Sequence, residues 1–515
     1  MAGAIIQIAA VGVHDRYLTT NPEITFFKVI FRRHTQFAIE SVPQEFSSPT
    51  RFGGSASCTV PRAGDMLYKM FLRVEVPAIS GAKQFAWSKN LGFAMINNVS
   101  IEIDGNLIDK QYGEWMHIWA ELNSTNKKAI DRMIGNVPDL YEYSKEKNSY
   151  VIYVPFNFWF CNNIGCSRPI VPLRDGSVKI NIEFNEIQDC SNIGPTEYVI
   201  IDEPICPFEI GDIITQKIGD DIAKGVVMGY DYLTKKMYYN SLGEIQFSSK
   251  KSRSDEMGDN MSFNPRPINN DFDIDAIDTS DKFSREVSRN SSDIFSNKLF
   301  GNNGSFVTCA SNSVKCDNHD IYSNIPDKFK SEMYVDFIYL DSDERQKVIN
   351  SQGDYLIEQV NMNEKSNIQH PSVEMKLDFN NPCKQFVWVS QLDSIRSLDR
   401  FNFSTDRGKN LVETSSLTIA SKNRFYDLTG NFTNYAQPYQ SYNSSPPAGI
   451  NAYSIALNPA DIQPSSTLNL SLVKPAVMKV TLDSIVGKYN RAALRVYSTN
   501  YNILRIVMGH CALVF

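Results

Sequence analysis

No stretch of this 515-residue chain approaches the roughly 18 uninterrupted apolar residues that a membrane-crossing helix needs. The longest apolar opening, Ala2 to Val13, is interrupted by Gln7 and has no Lys or Arg ahead of it. It runs straight into His14-Asp15-Arg16, so a retained, packed terminal arm is expected rather than a cleaved signal. A positive excess is also missing. Lys and Arg number 51 against 58 Asp and Glu, a net charge of −7, which argues against a generic nucleic-acid coat and leaves room only for a local basic patch.

Histidine is scarce: the six are His14, His34, His117, His319, His370 and His510, with no H-x-H or H-E-x-x-H pair. The nine cysteines are odd in number and irregularly spaced, which excludes a disulfide scaffold and reads as reduced thiols in a cytosol-like compartment. The metal-like fragment Cys309, Cys316 and His319 matches no standard spacing. Asp271, Asp273, Asp275 and Asp278 resemble the opening of a calcium loop, but Ala276 stands where the turn needs Gly and Lys282 where it needs Glu. G-x-S-x-G, a P-loop and G-x-G-x-x-G are all absent. Nothing local points to converging carboxylates of the glycosidase kind. No catalytic, cofactor-binding or metal-binding residue is assigned.

What the chain does have is aromatic and alternating. Tyr numbers 24, Phe 30 and Trp 5, while Gly and Pro are ordinary at 27 and 23. At this length, with 42% hydrophobic residues, about two to four domains with real cores are expected. Met66, Tyr68, Met70, Leu72, Val74 and Val76 share one face of a period-two pattern, with Lys69, Arg73 and Glu75 on the other. Val99, Ile101 and Ile103, then Val178, Ile180, Ile182 and Phe184, repeat the pattern, as do Val373, Met375, Leu377 and Phe379. Strands are predicted at 52–62, 65–76, 98–104, 106–112, 150–160, 167–173, 177–185 and 332–341. Eight more fall at 354–362, 371–380, 384–390, 415–425, 449–457, 467–473, 477–484 and 493–507. Two sets of eight are what two consecutive jelly rolls need. Helical spacing is confined to Glu114–Leu122 and a capped acidic turn at 341–345.

The rhythm breaks at about 195–330. Residues 197–249 still read as β, enough for a small barrel of their own. In 251–330, Ser, Asn and Asp occupy 35 of 80 positions, so a long solvated insertion is expected, with Phe306-Val307 and Ile321-Tyr322 able to pin it. A basic knot, Lys28, Arg32, Arg33 and His34, lies beside the apolar run Ile24-Thr25-Phe26-Phe27-Lys28-Val29-Ile30-Phe31. Two readings stay open for it: a contact patch, most plausibly for a partner protein, or a surface strand whose cations pair with nearby carboxylates.

The stretch Asp15-Arg16-Tyr17-Leu18-Thr19-Thr20-Asn21-Pro22-Glu23-Ile24-Thr25-Phe26-Phe27-Lys28, continuing to Arg32-Arg33-His34-Thr35, resembles the N-terminal signature of the major capsid proteins of nucleocytoplasmic large DNA viruses. Val60-Pro61-Arg62-Ala63-Gly64-Asp65, Tyr334-Val335-Asp336-Phe337 with Asp343-Glu344-Arg345, Gln437-Pro438-Tyr439-Gln440, Gln463-Pro464-Ser465 and Tyr501-Asn502-Ile503-Leu504-Arg505 follow in that family's order. Ser466 stands where the family has Gly, Met508-Gly509-His510-Cys511 replaces a Gly-rich ending, and the insertion is longer than usual.

The resemblance implies an all-β double jelly roll. Its parts would be an N-terminal arm at 1–25, a first roll at 26–345 with the insertion at about 195–330, and a second roll at 346–515. It further implies a structural protein without catalysis or cofactor, a homotrimer forming pseudo-hexagonal capsomers, and a large icosahedral outer shell. Partners would be neighbouring capsomers, minor capsid proteins and an internal viral membrane, with no specific nucleic acid, and assembly would take place in cytoplasmic factories. Residues 251–330 are expected on the outward surface and the arm beneath. The rivals are a minor capsid or scaffold paralogue and a carbohydrate-binding or carbohydrate-active β-sandwich.

Overall fold

The computed structural model describes residues 4–515 except 250–297 and the short stretches 14–15, 17–18, 81–83, 125, 174–177, 203–205, 219–220, 232, 244, 302–305, 317–324, 351–352, 397–398, 406–407, 489 and 508. Alternation builds the first sandwich. Its strands are β1 (Phe37–Gln44), β2 (Ser55–Val60), β3 (Met66–Val76), β4 (Ile96–Ile103), β5 (Asn106–Tyr112), β6 (Tyr150–Pro155), β7 (Val178–Phe184) and β8 (Lys330–Leu340). They pair antiparallel as β1-β8-β3-β6, with Arg168–Pro169 also on β3, and as β2-β7-β4-β5. In β3, Met70, Leu72, Val74 and Val76 are buried and Phe71, Arg73 and Glu75 are not, because only one face meets the opposing sheet. Before Met70 the register with β8 shifts, so Leu67 is buried and Met66 and Tyr68, expected on the core face, are only half-buried.

The second half repeats this order. Strands β9 (Gly353–Ile368), β10 (Ser372–Leu377), β11 (Pro382–Leu392), β12 (Val412–Ile419), β13 (Lys422–Thr429), β14 (Ile450–Ser454), β15 (Ala476–Leu482) and β16 (Ala492–Val507) form sheets β9-β16-β11-β14 and β10-β15-β12-β13. Leu468–Asn469 adds to β11 and His510–Leu513 to β16. Each strand thus occupies the place held by the strand eight before it. The hairpins correspond too: Asp104 and Gly105 turn β4 into β5 with φ of 51° and 79°, and Ala420 and Ser421 turn β12 into β13 with 48° and 64°. Both residues of such a turn sit in the left-handed region because that twist matches the strands.

Several expectations change. The first strand begins at Phe37, and residues 24–31 are not a strand. The run 415–425 is a hairpin, since Ala420-Ser421 bends it without Gly or Asn to mark the turn. The predicted strand at 150–160 stops at Pro155, which cannot donate to a ladder, and ends in a 3-10 turn at Trp159–Cys161. Those at 167–173 and 467–473 shrink to residue pairs. Short helices occur in the connections, so the fold is β-rich with some helix. Two of them matter below: α1 (Gly113–Asn123) and α2 (Ser342–Asn350). Asp341 caps α2 by accepting from Glu344 N–H at 2.8 Å. Ser466, the residue in place of Gly, has φ 119°, a conformation glycine favours.

The insertion leaves after β7 and returns at β8. Strands Glu197–Ile200, Ile213–Ile218, Asp221–Asp231, Lys236–Ser241, Lys298–Gly301, Phe306–Thr308 and Val314–Lys315 make one sheet. Its margins meet where Ala310 N–H donates to Ile200 O (2.8 Å) and Asp202 N–H to Thr308 O (3.0 Å), so the sheet closes around its own core. Leu299, Val307 and Cys309 are buried in that core. The polar tract was expected to build no core, and it does contribute to one, because its short apolar pairs slot into a barrel that 197–241 has mostly built. Ile321-Tyr322, His319 and Asp271, Asp273, Asp275 and Asp278 lie outside the described residues.

The two ends of the first sandwich differ in use. Ser191–Gly194 of the insertion pairs with Gln84–Trp87 from the β3–β4 connection, and Phe85 N–H bonds Ser144 O of the β5–β6 connection. The insertion therefore rises from the end shared by these loops, the upper end. Phe37 pairs with Leu340 at the finish of β8, so the N-terminal arm leaves from the lower end.

Candidate assembly surfaces

The strands β11 and β16 are buried on both faces over most of their length, unlike β3 and β8, their counterparts in the first sandwich. The cause lies in the same chain. The β5 edge and helix α1 of the first sandwich lie against the outer face of sheet β9-β16-β11-β14. Tyr497 packs on Trp115 with ring centroids 5.3 Å apart, and Val387, Val389, Ile450 and Tyr497 join the first sandwich's core. His117 of α1 stacks on Phe401 at 4.6 Å. Burial, with a smaller push from Lys127, lowers this imidazole to about 3, so it packs as a neutral ring.

Polar groups align this joint. Arg495 Nε donates to Glu114 Oε1 at 2.6 Å, Arg495 Nη2 donates to Gln391 Oε1 at 2.8 Å, and the Tyr497 hydroxyl donates to Glu114 Oε1 at 2.8 Å. Asp109 on β5 accepts from Val360 N–H on β9 and from Gln111 Nε2, both at 3.1 Å. Burial raises its carboxyl to about 7 against those hydrogen bonds.

The folded chain therefore keeps a proton on Asp109 at pH values where the unfolded chain has released it. Stability from this site is fully present below about pH 4 and drains away as pH rises to about 7. Between pH 5 and pH 7 the wild type should lose roughly 2–3 kcal/mol relative to Asp109→Asn. Denaturant titrations of both proteins across that range check this, and parallel pH profiles would sink it.

Among the described residues nothing covers the matching face in the first sandwich. On sheet β1-β8-β3-β6, Phe37, Ile39, Val151 and Tyr153 are 47%, 44%, 39% and 38% exposed. Tyr153 meets Tyr334 edge-on at 6.3 Å, and Arg73 lies 3.7 Å from Glu332. The element that would cover such a face, β13 with the turns after it, is exposed as well: Tyr426, Tyr435 and Tyr439 all point to solvent.

A third surface is the arm together with the segment that follows it, to Phe31. Ile5, Ile6, Ile8, Val11, Val13, Ile24, Phe26, Phe27, Val29, Ile30 and Phe31 are all exposed, a run of apolar side chains that an isolated soluble chain rarely displays. Lys28, Arg32 and Arg33 are exposed and make no ion pair among the described residues. His34 Nδ1 lies 2.8 Å from Thr35 O, and its ring meets Phe37 at 6.2 Å. The basic knot is thus gathered on one extended segment, without the strand or the paired carboxylates of the blander reading.

Among the described residues no group of three or more His, Cys, Asp and Glu is arranged to hold a metal, and no helix is long and apolar enough to cross a membrane. The Cys309 thiol instead donates to Ser311 O at 2.9 Å. All nine cysteines are free thiols. Sequence reasoning missed Glu114, Arg495 and Asp109, since nothing local marks a residue whose partner lies about 250 to 380 positions away.

Two repeated β-sandwiches with short helices in their connections, with apolar side chains exposed on one sheet face and along the arm, have a fold like that of double jelly-roll capsid proteins. Comparison agrees. The family described as "Major capsid protein N-terminus" matches residues 25–216, and "Large eukaryotic DNA virus major capsid protein" matches residues 344–512. The chain is 40% identical over 540 residues to "Probable capsid protein 4" of Acanthamoeba polyphaga mimivirus, covering 100% of this chain and 99% of that protein. It is 25% identical over 635 residues to the major capsid protein of Phaeocystis pouchetii virus, with 100% of each covered.

In fold it resembles the Faustovirus major capsid protein (TM-score 0.62, 9% identity, 96% of this chain and 94% of that one). It likewise resembles PBCV-1 VP54 (TM-score 0.60, 19% identity, 95% and 100%). The chain belongs to the major capsid proteins of large eukaryotic DNA viruses, and its role is structural rather than enzymatic.

Proposed function

We propose that the chain is the brick of an icosahedral outer shell, assembling as a homotrimer whose six sandwiches form a pseudo-hexagonal capsomer. Each pair of sheets is one eight-stranded jelly roll, the short added strands being extras. The division is an arm at 1–25, a first roll at 26–345 carrying the insertion at about 195–330, and a second roll at 346–515. The observation that carries this reading is the unequal burial of equivalent faces. Within the chain, the β5 edge and α1 cover the outer face of sheet β9-β16-β11-β14. Among the described residues the outer face of β1-β8-β3-β6 lacks a cover, and the β13 edge lacks a face. Head-to-tail repetition of the internal joint satisfies both, and a threefold rotation between copies closes such heterologous contacts into a ring.

The barrel at the upper end then faces outward. The arm at the lower end, and the basic knot Lys28, Arg32, Arg33 and His34 that follows it, meet minor capsid proteins and the internal viral membrane, and capsomers meet one another laterally. Reduced thiols suit assembly in cytoplasmic factories. The test is the solution mass of the purified chain together with low-resolution images. The expected result is three times the 58.3 kDa chain mass and a hexagonal outline. Val151→Asp with Tyr153→Asp, both on the uncovered face, should yield monomers of unchanged melting temperature. A wild-type monomer, or a trimer indifferent to both changes, overturns the reading.

A further inference from the structure

The internal joint also shows what happens at the lower end, where the β4–β5 turn meets the chain that emerges from β16. Asp104 Oδ2 accepts from Cys511 N–H at 2.8 Å and lies 4.0 Å from His510 Nδ1, while Asn106 Nδ2 donates to Cys511 O at 3.2 Å. Asn106 opens β5, and its counterpart opening β13 is Lys422. His510 and Cys511 stand three and four residues beyond the end of β16. The positions three and four beyond the end of β8 are Asp343 and Glu344, in the first turn of α2. Repeating the joint between copies thus sets a basic strand start against an acidic helix start.

Both sides are prepared for this. Beside the β12–β13 turn lies an open cleft of about 360 Å³, lined by Lys422, Asn423, Arg424, Ser466 and Thr467 over an aliphatic floor. Lys422 and Arg424 are exposed and make no ion pair among the described residues. Asn423 Oδ1 already accepts from the Thr418 hydroxyl at 2.9 Å, which leaves its amide N–H groups to donate. Opposite, at the start of α2, Asp343 is exposed and Glu344 is half-buried, and neither makes an ion pair among the described residues. Two cations, an amide and two hydroxyls in one recess are a receptor for carboxylates.

We infer that this cleft on the second sandwich receives the first turn of α2, Asp343 and Glu344, from the neighbouring copy. This rests on the head-to-tail trimer and specifies its lower lock. The contact orients the approach of two copies and makes association salt-dependent.

The experiment uses the full chain. Lys422→Glu with Arg424→Glu should weaken trimer association at least tenfold by mass at graded dilution, and so should Asp343→Lys with Glu344→Lys. Combining all four should restore association to within a few-fold of wild type. A chain carrying Lys422→Cys and Asp343→Cys should form covalent trimers under mild oxidation, while neither single variant does. If the wild type is trimeric but the reversals leave its dissociation unchanged, or the fourfold variant is no better than either pair, the lock is wrong and the trimer stands. A monomeric wild type overturns both. Weakened binding of anionic vesicles by the first pair, with the trimer intact, would give the cleft to a lipid headgroup and also refute the lock.

Discussion

Glu114→Ala destabilises the chain by about 3–5 kcal/mol, one of the two largest effects expected here. Arg495 is buried in the joint between the sandwiches, and Glu114 is the carboxylate in hydrogen-bond contact with it, at 2.6 Å. Once Glu114 is gone, the guanidinium keeps Gln391 and a distant Glu364 at 3.6 Å, too little to offset the loss of its hydration. Tyr497 loses its acceptor in the same step. The double variant Glu114→Gln with Arg495→Met removes the charge along with its partner and should cost markedly less than the single change. Urea unfolding of the three proteins decides this. An alanine variant within 1 kcal/mol of wild type would show the pair to be dispensable, on the order of a surface ion pair.

Deletion of residues 1–25 should leave fold and trimer intact and abolish or severely weaken shell assembly. Among the described residues the arm has hydrogen bonds within itself, such as Ala10 N–H to Ile6 O at 2.8 Å and Thr20 N–H to Arg16 O at 2.9 Å, and its apolar side chains are exposed. The first sandwich starts only at Phe37, so the cut removes no ladder bond. Melting temperature and solution mass should match wild type, while particle yield in a reconstituted or infected-cell assay falls at least tenfold. A truncated chain unable to trimerise would place the arm in the trimer contact. Full-yield particles would deny it any role beneath the shell.

Where apolar residues alternate along a strand with one covered face, its limits were legible to within a residue or two: 65–76 is Met66–Val76 and 177–185 is Val178–Phe184. Strand β1 escaped because FAIESVPQ does not alternate clearly and carries a proline at the sheet's edge. The aromatic run at 24–31 misled for the opposite reason. It has β propensity but no neighbouring strand, and propensity without pairing does not make a strand. The hairpin at Ala420-Ser421 was hidden by a turn without the residues that usually signal one.

Of the candidate surfaces, the basic knot of Lys28, Arg32, Arg33 and His34 is visible in the sequence because its members are contiguous; the structure shows them exposed. By itself the sequence determined a twice-repeated β architecture, an interrupting insertion and membership of a family, since alternation, composition and motifs are all local properties of the chain. Which sandwich face is covered, and which waits for another copy, was decided only by the tertiary structure. Strands β3 and β11 hold equivalent places in the two sandwiches and differ in burial according to what long-range packing lays against them.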